Sequence, residues 1–210
     1  VRAHRYLEAE MGTLLPVQLK LEKRIPVGSG LGGGSSDAAA MLLATASLFD
    51  LDIDLYAIGA ELGSDVPFLI DGGTQLVTGF GENLEPLQYT DEAMVLIMPP
   101  YGCPTGEVYD AFDELSNPSL DLENVRAGHV FNDLTIAAKE VSQKLGEDLA
   151  LVKLIAEQDV HLSGSGSSMF VICDNEMHAE ALASVIEEKT GFVAVATHTI
   201  VPTNGLEKTE

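Results

Sequence analysis

Apolar and polar residues alternate from Val17 to Glu22. Val17, Leu19 and Leu21 are set against Gln18, Lys20 and Glu22, which predicts a half-exposed strand. Upstream, Val1 to Met11 has the pattern of a helix. Pro26 introduces a run of glycines, and from Ser35 the Ala- and Leu-rich stretch AAAMLLATASLF predicts a long helix. Asp54 to Leu62 predicts another, with Asp54 as N-cap and Gly63 at the C-terminal glycine position. Val66 to Ile70 and Gly73 to Val77 have the length and composition of short strands around an Asp71-Gly72 turn. The polar stretch Glu82 to Glu92, containing Pro86, predicts a crossover between two domains.

Beyond residue 90 the pattern predicts strands and helices in alternation. Strand Met94 to Met98 ends at Pro99-Pro100, helix Thr105 to Leu115 follows, and Asn117-Pro118 marks a loop. Helices are predicted over Asp133 to Leu145 and Glu147 to Glu157, then a short strand, Val160 to Leu162, and a second loop of small residues. Strand Met169 to Cys173, helix Met177 to Thr190 and strand Phe192 to Val201 complete the order, with a loose tail from Thr203 to Glu210. Such an order predicts an α+β sandwich with helices on one face of its sheet.

Charge narrows the partners. Eleven Lys and Arg face 33 Asp and Glu, a formal net charge of -22, which disfavours nucleic acid and anionic membranes as partners. An anionic ligand then needs local positive potential from backbone N–H groups, a metal ion and a few cations. Cys103 and Cys173 lie far apart in no metal-ligand spacing, which points to a reducing cytoplasm. The histidines His4, His129, His161, His178 and His198 are scattered, and none is assigned a role.

The richest stretch runs from Pro26 to Ala39, PVGSGLGGGSSDAA. Its glycines allow positive φ and close backbone approach, so successive N–H groups converge on an anion. The helix that follows adds its own uncompensated N–H groups and the positive end of its dipole. Ser35 and Ser36 offer hydroxyls for capping, phosphate contact or a magnesium ion. A P-loop is excluded because Gly34 stands where its Lys belongs. Gly28, Gly30 and Gly33 match dinucleotide-fingerprint spacing, with Asp50 or Asp52 as the ribose acid. The charged lead-in of Lys20, Glu22, Lys23 and Arg24 disfavours the fully buried strand that motif requires. A protein-kinase glycine loop joins two strands, whereas a helix follows here. A loop serving packing alone would carry a heavy entropic cost.

Those fourteen residues resemble the ATP-binding motif of the GHMP kinases. The extra Gly33-Gly34 is similar to the branch whose acceptor is 4-diphosphocytidyl-2-C-methyl-D-erythritol, a cytidine-diphosphate-linked sugar alcohol of non-mevalonate isoprenoid synthesis. Leu62-Gly63-Ser64-Asp65-Val66-Pro67-Phe68 resembles the segment carrying that family's catalytic aspartate. Pro99 to Tyr109 is similar to its Pro-x-x-Gly-x-Ser-Thr-x-x-x-Tyr segment, with Pro104 replacing Ser. Asn132-Asp133-Leu134 and Leu162 to Ser168 match its later motifs. The resemblance spans Val1 to about Val201. It implies an ATP-binding, ribosomal-protein-S5-like lobe over residues 1–90, incomplete at its start, and a ferredoxin-like lobe over 91–210. Homoserine, mevalonate or a sugar remain alternative acceptors, and a non-catalytic nucleotide-binding member is a further alternative.

By the same resemblance Asp65 is the base that takes or orients the acceptor hydroxyl's proton; an Asp in such a turn otherwise serves as a cap. Pro26, Gly28, Gly30, Leu31, Gly32, Gly33, Gly34, Ser35 and Ser36 are implied to bind ATP, Ser35 also as a helix cap and Ser36 beside Mg2+. Thr105 and Tyr109 share a helical face, and Tyr109 either stacks on cytosine or sits in the domain interface. Gly164, Ser165 and Gly166 are implied to line the substrate side. The family also carries a catalytic Lys, part of its adenine pocket and some cytidine contacts ahead of the region matching Val1. Lys20, Lys23 and Arg24 do not match that Lys. The expectation is therefore that residues 1–210 alone do not turn over.

Overall fold

The computed structural model describes residues 1–115 and 122–200. The Asn117-Pro118 loop, Val201 and the Thr203 to Glu210 tail lie outside them. Described residues divide into two compact units, one of Val1–Arg24 and Gly32–Tyr89 with Ile200, the other of Ile25–Leu31 and Thr90–Thr199.

In the first unit, helices α1 (Arg2–Met11), α2 (Gly33–Phe49), α3 (Leu55–Leu62) and α4 (Val66–Asp71) surround a core that includes Leu7, Leu42, Ile58, Val66 and Ile70. The side chain of Asp54 caps α3, accepting from Tyr56 and Ala57 N–H at 3.0 and 3.1 Å. A Cβ on Gly59 would lie 3.2 Å from Val66 and 3.3 Å from Ile70, so a glycine there lets α3 approach α4 closely. A two-stranded antiparallel ribbon, β1 (Gln75–Thr78) and β2 (Asn83–Pro86), completes the unit.

Three expectations fail here. Val17 to Glu22 forms no strand, because among the described residues nothing pairs with it; Leu19 and Leu21 are left exposed. Val66 to Ile70 is helical rather than extended. Pro67 suits a first helical turn, and the buried residues Val66 and Ile70 recur at i and i+4, spacing that a five-residue apolar run does not reveal as helical. The stretch predicted as crossover contributes β2, whose polar residues belong to an exposed ribbon.

The second unit is a four-stranded antiparallel sheet in the order β4 (His161–Leu162), β5 (Met169–Cys173), β3 (Ala93–Met98), β6 (Val193–His198). One sheet face, with Val95, Ile97, Met169, Val171 and Ala194, is buried beneath α5 (Thr105–Leu115), α7 (Leu134–Val141), α8 (Gln143–Ala156) and α9 (Glu176–Thr190). A short helix, α6 (Leu122–Arg126), escaped the sequence pattern. The break between α7 and α8 falls at Ser142, not Gly146. Ser142 is extended and its hydroxyl caps Leu145 N–H, while Gly146 continues inside α8.

Candidate active site

The glycine loop divides between the two units, so each half is built from its own surroundings. In the second unit Gly28 and Gly30 hold φ of 72° and 77°, which favour glycine. The carbonyls of three consecutive residues accept bonds. Cys103 N–H donates to Gly28 at 3.1 Å and Ser168 N–H to Ser29 at 2.9 Å. The Ser163 hydroxyl donates to Gly30 at 2.9 Å. A Cβ on Gly30 would stand 2.1 Å from the Ser163 carbonyl oxygen, a contact no side chain can make. The glycine loop and the Ser163 to Ser168 loop therefore interlock at backbone distance.

These bonds tie the carbonyls of Gly28, Ser29 and Gly30 to residues 103, 168 and 163. Val27 at the tip is 87% exposed. Around the second loop, Asn132 Nδ2 donates to the Leu162 and Gly164 carbonyls at 2.9 and 2.7 Å, and Thr105 Oγ1 and Ser165 Oγ share a hydrogen bond of 2.9 Å. Thr105, Gly164, Ser165 and Gly166 are thus brought together with Gly28 and Gly30, and Tyr109 lies exposed one turn along α5 from Thr105. Burial, with the Glu107 charge adding to it, pushes the Cys103 thiol up and keeps it neutral, so it serves as packing and not as a nucleophile.

In the first unit Gly32, at φ 62°, is the N-cap of α2. It has no side chain to satisfy the first-turn N–H groups of Gly33, Gly34 and Ser35, and the first turn holds no acidic residue. The cap expected at Ser35 is not found. The cap position lies three residues earlier, at Gly32, because glycine adopts the left-handed turn that a serine at the junction would resist. Ser36 Oγ donates to the Gly33 carbonyl at 3.0 Å, which leaves its oxygen free to accept or to meet a cation. Such a hard hydroxyl oxygen fits a magnesium ion. Among the described residues no cluster of three His, Cys, Asp or Glu could hold a metal ion. Lys23 pairs with Asp37 at 2.5 Å, placing a compensated cation at the first turns of α2.

Helix α4 packs on α2, and a Cβ on Gly32 would touch Leu69 at 3.6 Å. Asp65 is the N-cap residue of α4, one turn before Leu69, yet its side chain makes no capping bond. The carboxylate is exposed and, among the described residues, accepts a long 3.3 Å bond from the Ser64 hydroxyl. It is therefore not spent on holding the helix. Behind it, Gly81 at φ 106° brings the turn between β1 and β2 against Ser64; a Cβ there would fall 2.0 Å from the Ser64 carbonyl oxygen. Sequence reasoning missed Gly81, and its only signal was the Gly79-Phe80-Gly81 spacing of a tight turn.

Comparison with known proteins adds to this geometry. Residues 1–73 match the description "GHMP kinases N terminal domain". The chain is 34% identical over 195 residues to 4-diphosphocytidyl-2-C-methyl-D-erythritol kinase of Ralstonia pickettii strain 12J, covering 89% of this chain and 67% of that one. It is 38% identical over 222 residues to the protein of the same name from Desulfitobacterium hafniense strain Y51, covering 94% and 75%. Among solved structures, a crystal structure of 4-(cytidine 5'-diphospho)-2C-methyl-D-erythritol kinase superposes with a TM-score of 0.79 at 34% identity, covering 94% of this chain and 76% of that one.

Proposed function

The chain belongs to the 4-diphosphocytidyl-2-C-methyl-D-erythritol kinase family of the GHMP kinases, and from that premise we propose how its residues carry the family's reaction. The protein transfers the γ-phosphoryl group of ATP to a hydroxyl of 4-diphosphocytidyl-2-C-methyl-D-erythritol, a step of isoprenoid precursor synthesis. Phosphoryl transfer asks a protein mainly to align two oxygens about phosphorus and to offset negative charge. Backbone N–H groups from Gly28 to Ser36, flanked by Pro26 and Leu31, hold the triphosphate. The dipole of α2 adds to them. Ser36 would hold Mg2+, which when bound offsets phosphate charge.

The acceptor hydroxyl gives its proton to Asp65 as its oxygen bonds to phosphorus and the bond to the departing ADP breaks. Thr105, Tyr109, Gly164, Ser165 and Gly166 hold the acceptor, with the exposed Tyr109 ring as a platform for cytosine. The observation that carries this assignment is the Asp65 carboxylate. It stands at the start of a helix packed on the uncapped end of α2, and it leaves that helix uncapped.

The test is ADP release by the full-length protein with Mg-ATP and, separately, 4-diphosphocytidyl-2-C-methyl-D-erythritol, homoserine, mevalonate or galactose. Turnover is expected with the first alone. Turnover with another alcohol reassigns the acceptor, and Mg-ATP binding with no turnover on any of them makes the protein a nucleotide binder.

A further inference from the structure

Asp148 is 7% exposed, lies on α8, and belongs to none of the motifs that mark the site. A carboxylate so buried is retained only with partners, and it has two. The Tyr101 hydroxyl donates to its Oδ2, and Lys144 Nζ approaches the same oxygen at 3.1 Å. That ammonium also stands 5.2 Å over the Tyr101 ring, so the phenol is gripped at its face and at its tip.

The backbone around Tyr101 reaches both interlocked loops. Its carbonyl accepts from the Ser167 hydroxyl in the Ser163 to Ser168 loop. Two residues on, Cys103 N–H donates to the Gly28 carbonyl in the glycine loop. Gly102 lies against the same glycine, its Cβ position 3.1 Å from the Gly28 oxygen. One run of contacts thus leads from Asp148 through the Tyr101 side chain and backbone to both loops.

We propose that Asp148 is a positioning residue for nucleotide binding, acting through Tyr101 to hold the glycine loop and the Ser163 to Ser168 loop in register. Given that the glycine loop holds ATP as set out above, loosening this anchor weakens ATP binding more than it slows transfer. Burial, followed by the hydrogen bond to Asp148, raises the Tyr101 phenol well above its ordinary range, which keeps it a donor throughout neutral pH.

The experiment uses the full-length protein, wild type, Tyr101→Phe, Asp148→Asn and the double variant. Tyr101→Phe removes only the hydroxyl, and its KM for Mg-ATP is expected to rise about tenfold, the worth of a hydrogen bond to a buried charge, with kcat nearly unchanged. Adding Asp148→Asn to Tyr101→Phe should raise KM little further, because both act through one contact. A second readout needs no nucleotide. Amide exchange at Cys103 and Ser168 should quicken about tenfold in Tyr101→Phe, while Val95 and Val171 in the sheet keep their protection.

Wild-type Mg-ATP binding together with an unchanged KM and unchanged Cys103 and Ser168 exchange in Tyr101→Phe overturns this inference alone, whatever happens to the melting temperature. A wild-type protein that binds no Mg-ATP overturns the kinase assignment, and the proposed nucleotide role falls with it.

Discussion

Gly81 lies outside every motif, and it bears on the chemistry through the proposed role of Asp65. It holds positive φ, and its missing side chain leaves room for the Ser64 carbonyl directly ahead of Asp65. Gly81→Ala adds a methyl group where there is none and strains the backbone by roughly 1–3 kcal/mol. The expected outcome is a fall in kcat of the full-length protein with little change in KM for Mg-ATP, measured by steady-state kinetics. The glycine loop was legible in local composition, and Asp65 came forward only through the resemblance of its segment to the GHMP kinases. Tyr101 and Asp148 were not: among 33 acidic residues Asp148 looks like one more solvated charge, and its partner lies 47 residues away. Ser35 was misread as a cap because serine usually begins a helix, whereas here Gly32 takes the left-handed turn.

At the scale of elements, the order along the chain was legible where helix-favouring or apolar runs are bounded by turn residues, as in α2, α5, β3, β5 and α9. It failed in Val66 to Asp71, where six residues are too few to separate strand from helix. Burial within the helical core decided the matter. That short helix is tied to α3 by the Tyr56 hydroxyl, which donates to Asp71 Oδ1 at 2.5 Å. This hydrogen bond, then burial and the charges of Asp71 and Asp54, raises the phenol from 10.0 to about 12. The folded state therefore keeps a proton that the unfolded chain loses, so the contribution is whole below pH 10 and disappears as pH rises through about 12. Its size is modest because the pair is largely exposed and screened by water. Denaturant unfolding of wild type and Tyr56→Phe should show a stability gap that is constant below pH 10 and narrows above it; a gap that stays constant to pH 12 contradicts the contact.

For the whole molecule, a net charge of -22 sets a problem that an ATP-binding protein must solve locally. The solution proposed here relies on backbone N–H groups rather than on side-chain cations. Consistent with that, Lys23 near the start of α2 is already paired with Asp37. The strand and helix order of the second unit could be read from the sequence in outline, while in the first unit the Val17 to Glu22 strand, the Val66 to Ile70 strand and the crossover were misread. The grouping of Ile25–Leu31 with the second unit could not, because it depends on bonds to residues 103, 163 and 168, far along the chain. The most direct test is rapid-quench transfer of labelled γ-phosphate from Mg-ATP to 4-diphosphocytidyl-2-C-methyl-D-erythritol by full-length wild type and Asp65→Asn, with nucleotide affinity measured on the same samples. With Asp65 as the proton acceptor, the variant should bind Mg-ATP as wild type does and transfer roughly 10²- to 10⁴-fold more slowly. Transfer by Asp65→Asn at the wild-type rate, or no phosphorylated product from wild type, would contradict it.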